Sequence, residues 1–147
     1  MRSRKLRMDG RGIVDGFGAG EALVSRQAVS FFGGVDARNG LVIEHGHELE
    51  GQSVSGKVLV FPRGKGSTVG SYVIYGLRKY GVAPAAIVNI ETEPIIIAGC
   101  VLAGIPLVDR LDRSPVEVIS SGDWVEVAGD TGTVWVTKTR LNDNEPS

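Results

Sequence analysis

The chain has 147 residues, of which 42% are hydrophobic and 22% charged, with a net charge of -1. That length suits one domain with its own core rather than two, and the near-neutral balance excludes the global basic field expected of a nucleic-acid binder. The single cysteine, Cys100, excludes an internal disulfide and a self-contained cysteine metal site.

The first residues, "MRSRKLR", carry Arg2, Arg4, Lys5 and Arg7 before any apolar pattern begins. Residues 1–8 therefore read as a basic tail, either solvated or a docking arm for an acidic partner. No apolar stretch follows it as in a signal peptide, and no run is long enough to span a membrane, so the expected location is the cytoplasm. Residues 9–137 read as one domain. "EALVS" is a predicted strand, and "FFGGVDARNG" a loop with turn signals at Gly33-Gly34 and Asn39-Gly40. "LVIEHGHELEGQSVSG" holds a short strand and then a polar connection. "KVLVF" is the strongest strand, bounded by Gly56 and Pro62. A helix follows over about Thr68 to Tyr80. Val69, Val73, Gly76, Leu77 and Tyr80 draw one face, and Gly81 is placed to end it. "AAIVNI" reads as a strand buried on both faces. "TEPIIIAGCVLAG" reads as a short helix with Pro94 in its first turn and Gly104 closing it. "IPLVD" is a further strand, and "DWVEVAGDTGTVWVT" a closing hairpin. Residues 138–147 read as a polar tail. The order of elements predicts an α/β domain whose mixed sheet curls toward a barrel.

Glycine is abundant, at 21 residues, and dispersed among apolar positions, which predicts tight turns and close backbone packing. "GFGAGE" is not a dinucleotide fingerprint, because Glu21 stands where the third glycine belongs and a strand follows it rather than precedes it. "GKGST" is no phosphate loop of the Walker type, since Val60 occupies the first glycine's place. Nor is it a nucleophile elbow, since Lys65 replaces the first glycine of that motif.

What remains is "PRGKGST", where a strand hands over to a helix. Backbone N–H groups are free at a helix start, and the helix dipole favours an anion there. Gly64 and Gly66 let the backbone approach a ligand, while Arg63 and Lys65 supply charge for phosphate or carboxylate. Two readings stand side by side: Ser67 or Gly66 caps the helix and the cations are solvated, or the turn is an anion cradle. His45 and His47 lack a marked third metal ligand and read as a solvated loop. Cys100 reads as a small buried residue. Asp15, Asp36, Glu91 and Asp109 stand at strand or turn ends, where carboxylates cap turns as often as they catalyse. An anion turn without an evident base, metal site or cofactor motif suggests half of an active site, completed by another chain.

The segments "GRGIVDGFGAGEALVSRQAVSFFGGVDARNG", "GKVLVFPRGKGSTVGSYVIYGLRKYGVAPAAIVN" and "IIIAGCVLAGIPLVD" resemble the small subunit of the aconitase X family. The likeness runs from about Gly12 to Asp109 and on into the hairpin, with "FPRGKGST" and "SFFGGVD" its most specific parts. It implies a swivelling β/β/α domain with two or more helices. It implies a large-subunit partner, in a heterodimer or higher assembly, that holds an iron-sulfur cluster of the 4Fe–4S type, with no metal on this chain. The implied activity is a hydro-lyase acting on a small hydroxy acid. Archaeal members resemble enzymes that convert mevalonate 5-phosphate to trans-anhydromevalonate 5-phosphate; bacterial members resemble cis-3-hydroxy-L-proline dehydratases. By position in the motif, Ser67 is the base that takes a proton from carbon while the partner's metal takes the hydroxyl. Arg63, Lys65, Gly66 and Thr68 are the implied substrate-binding residues. Aconitases proper carry an arginine shortly after this serine, whereas Thr68 and Val69 follow Ser67 here, which argues against citrate or isocitrate. A phosphorylated hydroxy acid is the expected substrate. The rival expectation from another class is a non-catalytic phosphate-binding or assembly module.

Overall fold

The computed structural model describes residues 4–138. Ten strands and three helices follow in order: β1 (Arg4–Asp9), β2 (Arg11–Val14), β3 (Phe17–Val24), β4 (Val29–Ser30), β5 (Val58–Phe61), β6 (Gly64–Lys65), α1 (Gly70–Lys79), β7 (Ala86–Asn89), α2 (Pro94–Ala103), β8 (Leu107–Asp109), α3 (Pro115–Val118), β9 (Trp124–Ala128) and β10 (Thr133–Lys138). Eight strands form one mixed sheet in the order β1-β10-β9-β3-β5-β7-β8-β2, and β4 and β6 form a separate two-stranded ribbon. Strands β3, β5, β7 and β8 are parallel, with antiparallel strands on either side. The sheet curls part-way round a barrel, so the expected α/β architecture is the one observed.

The parallel strands are buried on both faces because helices and the curled sheet cover them. Alternation then sorts their side chains. Leu59, Phe61, Ile87 and Leu107 join one cluster with Ile74 and Leu77 of α1 and Ile96 and Cys100 of α2. Val58, Val60, Ala86, Val88 and Val108 face the other way, onto Val125, Val127, Val134 and Val136 of the closing hairpin. The two helices approach closely at Gly99, where a Cβ would lie 2.5 Å from Cδ1 of Ile74.

Three expectations need correction. The basic segment is a strand from Arg4, not a tail: β1 pairs with β10, Met8 is fully buried, and Leu6 packs on the same cluster. Its apolar residues occupy only every second position, and the cations between them decorate a sheet edge, where charge discourages pairing with another chain. Lys138 likewise ends β10 rather than opening a tail, its Nζ donating to Asp123 Oδ2 at 2.7 Å and to the Val118 carbonyl at 2.9 Å; the rest of the expected C-terminal tail lies outside the described residues. The buried face of α1 is Gly70, Ser71, Ile74 and Leu77, while Val69 and Tyr80 are exposed. The helix starts two residues later than the pattern suggested, and its inner stripe turns with it. The C-terminal signals at Gly81 and Gly104 hold: both have positive φ, at 73° and 67°.

Candidate functional site

The carboxyl ends of the parallel strands converge, which is where open α/β sheets place ligands. After β5 the chain meets Pro62, whose carbonyl accepts from the N–H groups of Ile90 and Glu91 at 3.0 and 3.3 Å, tying the turn to the end of β7. Gly64 and Lys65 then pair in parallel with Val29 and Ser30. Gly64 packs so closely on α2 that a Cβ would meet Glu93 Oε1 at 2.4 Å and Ile96 Cγ1 at 2.7 Å. Gly66 is required twice over. Its φ is +91°, and a Cβ there would lie 2.5 Å from Ser30 Oγ. The ribbon thus sets "SFFGG" against "PRGKGST", the two segments most specific to the resemblance.

Ser67 stands half-buried just beyond, with Arg63, Lys65, Gly66 and Thr68 exposed around it. Ser67 is not the N-cap, and neither is Gly66; Val69 takes that position. Ser67 Oγ instead accepts the N–H of Val69 at 3.1 Å, and its carbonyl accepts from Gly70 at 2.9 Å. The Thr68 carbonyl accepts both the N–H and the hydroxyl of Ser71, at 3.2 and 3.0 Å. The N–H groups of Ser67 and Thr68 make no hydrogen bond among the described residues, so two donors remain at the start of the helix. A hydroxyl that accepts a backbone N–H beside a helix start is one whose oxyanion is favoured.

The two cations differ. The Arg63 side chain makes no hydrogen bond or ion pair among the described residues, whereas Lys65 Nζ lies 3.1 Å from Glu44 Oε2. Beside them opens a cavity of about 400 Å³ whose walls include Ser30, Phe32, Gly34, Glu44, Lys65 and Gly66. Ser30, Phe32 and Glu44 were not among the expected site residues. The "SFFGGVD" stretch hinted at the first two, but only the parallel pairing of β4 with β6 brings it to the turn.

A second cluster stabilises the same end of the sheet. Asp109 is buried and accepts both Nε and Nη2 of Arg11 at 2.9 Å, and the N–H of Thr92 at 2.9 Å. Glu91 accepts both Nε and Nη2 of Arg110 at 2.9 Å. Arg110 has φ 53°, an uncommon conformation for a side-chain-bearing residue, and its N–H is bonded to the Ile90 carbonyl. These carboxylates, like Asp36 with the N–H of Arg38, hold turns together, one of the two roles open to acids at strand ends. His47 departs from the solvated reading: it is buried, accepts the Leu49 N–H at Nδ1 and lies 3.1 Å from the Ala28 carbonyl through Nε2. His45 is fully exposed. Gly18 packs on the backbone of Ala85, where a Cβ would come within 2.0 Å of its carbonyl, so close strand packing explains that glycine.

The donors of this chain do not suit an iron-sulfur cluster. Cys100 is buried in α2, with burial alone pushing its thiol pKa up. No group of three or more His, Cys, Asp or Glu side chains converges to hold a metal among the described residues. Among those residues, too, no helix is long and apolar enough to cross a membrane.

A curled mixed sheet flanked by helices, with a serine turn at the carboxyl end of a central parallel strand, defines a swivel domain of the aconitase type. A family model described as the aconitase X swivel domain matches residues 7–136. The phosphomevalonate dehydratase small subunit of Methanocella arvoryzae is 56% identical over 129 residues, covering 88% of this chain and 98% of that one. Its counterpart from Thermococcus sibiricus is 50% identical, covering 88% and 97%. The crystal structure of Thermococcus kodakaraensis aconitase X in its holo-form superposes with a TM-score of 0.85 at 47% identity, over 89% of this chain and 98% of that one. The chain belongs to the aconitase X family, as its swivel domain.

Proposed function

We propose that this chain is the small subunit of a two-chain hydro-lyase that dehydrates mevalonate 5-phosphate to trans-anhydromevalonate 5-phosphate in the cytoplasm. The observation that carries this reading is the near full-length likeness to phosphomevalonate dehydratase small subunits, at 47–56% identity. The large subunit supplies the iron-sulfur cluster, in keeping with a donor set here that does not suit one.

Ser67 is the base in this reading. A neutral hydroxyl is a poor one, but the Val69 N–H bonded to its oxygen and the start of α1 favour the oxyanion. Arg63 and Lys65, with the unbonded N–H groups of Ser67 and Thr68, bind the anionic groups of the substrate. Gly66 lets the turn close on them. Ser67 is half-buried rather than enclosed in the core, so a substrate carried by the partner can reach it.

The test is an assay of the purified pair with mevalonate 5-phosphate and, separately, cis-3-hydroxy-L-proline. Elimination from the phosphorylated acid alone is expected, and turnover of hydroxyproline alone would overturn the assignment. Ser67→Ala should leave the two-chain complex intact and lower kcat by about 10²–10⁴-fold, the usual contribution of a positioned base. Near-normal turnover in that variant would favour a purely binding or assembly role.

A further inference from the structure

We propose that the cavity beside the serine turn receives the substrate's phosphate group, and that Lys65 binds it by exchanging Glu44 for it. This rests on the reading above only in taking the substrate to be phosphorylated.

The cavity holds about 400 Å³, and much of its wall is glycine backbone, at Gly33, Gly34 and Gly66. The glycines are not interchangeable with alanine. A Cβ on Gly34 would fall 2.0 Å from the Ser30 carbonyl and 3.2 Å from Glu44 Oε1. Lys65 is the cation in this wall, and it is held by Glu44 at 3.1 Å with half of its side chain exposed. Such a pair is weak and readily exchanged. Glu44 is also poorly served by it, because its second oxygen, Oε1, is buried without a hydrogen-bond partner. Glu44 therefore acts as a resident counter-ion for Lys65 rather than as a structural anchor.

An incoming carboxylate would replace one singly charged partner of Lys65 with another and gain little. A phosphate monoester, mostly dianionic at neutral pH, brings more charge and more acceptor oxygens to the same ammonium. Displacing Glu44 costs every anion the same, so the preference for phosphate comes from its greater charge and larger number of acceptor oxygens at Lys65. The assignment also divides the two cations, with Lys65 on phosphate and Arg63 left for the rest of the acid.

Calorimetry on the two-chain complex, with inorganic phosphate and acetate as probes, tests this. The unsubstituted complex should bind phosphate at least tenfold more tightly than acetate, a comparison that needs no variant. Glu44→Gln should tighten phosphate binding about tenfold without reducing its advantage over acetate, and Glu44→Ser should do the same. Lys65→Gln should weaken phosphate tenfold or more. Equal affinities for the two anions, or a phosphate affinity indifferent to Glu44 and Lys65, would overturn the proposal. Phosphate bound as expected by a complex that leaves mevalonate 5-phosphate unchanged would support the cavity and sink the reaction. Dehydration by a complex whose phosphate affinity ignores both residues would do the reverse.

Discussion

The Asp109 carboxylate has no contact with solvent, yet it is held charged. Burial pushes its pKa up, but the two bonds from Arg11 and the Thr92 N–H outweigh burial and hold it below the usual carboxylate range. The folded-state pKa is therefore below the unfolded one, near 3.9. Its share of stability is complete above that value and is lost as pH falls through the lower folded-state pKa. Asp109→Asn should cost about 1–3 kcal/mol near neutral pH, since it removes a charged acceptor from the buried Thr92 N–H and from the Arg11 guanidinium. The gap in Tm between variant and wild type should begin to narrow below about pH 4 and go on shrinking as the pH falls further. A gap as wide at pH 3 as at pH 7 would mean that the carboxylate's charge is not what matters. The same carboxylate fixes Thr92, one residue before the Glu93 N-cap that packs on Gly64, so it supports the serine turn from behind.

At the scale of elements, α1 and α2 are joined by contact between a glycine and an isoleucine. Alanine at Gly99 would bring its methyl group to 2.5 Å from Ile74 Cδ1 and 2.9 Å from its Cβ. Gly99→Ala should therefore destabilise by about 1–3 kcal/mol through overpacking, despite alanine's better helix propensity. Ile74→Val removes the nearest methyl group and should recover part of the loss in the double variant. Chemical denaturation of the four proteins gives the coupling, and strictly additive effects would contradict the contact. Arg78 stabilises the same pair of helices from the outside, donating to the carbonyls of Ala103 and Gly104 at the end of α2. The two helices are thus packed together directly behind the serine turn at the head of α1.

At the scale of the whole molecule, β1 covers the outer edge of β10. Deleting the first seven residues should lower Tm by about 5 °C or more and promote association through the exposed edge. A solvated tail could be removed with no change in Tm, so a melting curve separates the two accounts. The hydrogen-bonded parallel strands and the closing hairpin give this chain a core of its own, whereas its candidate site offers a proposed base and anion donors and, among the described residues, no cluster of metal-ligating side chains. The isolated chain should therefore fold cooperatively and show no dehydration until the large subunit is added. Measurable turnover by the lone chain would contradict the two-chain reading.

Much was legible in the amino-acid order because it is local. Apolar runs bounded on at least one side by proline or glycine marked β5, β7, β8, both long helices and the hairpin, since strand alternation, helix capping and turn chemistry act within a few residues. The serine turn was legible for the same reason, its cations, glycines and hydroxyls all lying within seven positions. The tertiary structure alone decided what depended on distant pairing. It turned a run of cations into β1 by supplying β10 to bond with. It laid Val29 and Ser30 beside Gly64 and Lys65, and so brought Glu44 to Lys65 from 21 residues away. It also rotated α1 so that Ile74 is fully buried in the core and Val73 packs only at its margin. These outcomes follow from register and close backbone approach between segments far apart in the chain, and a periodic pattern within one segment carries no record of its partner.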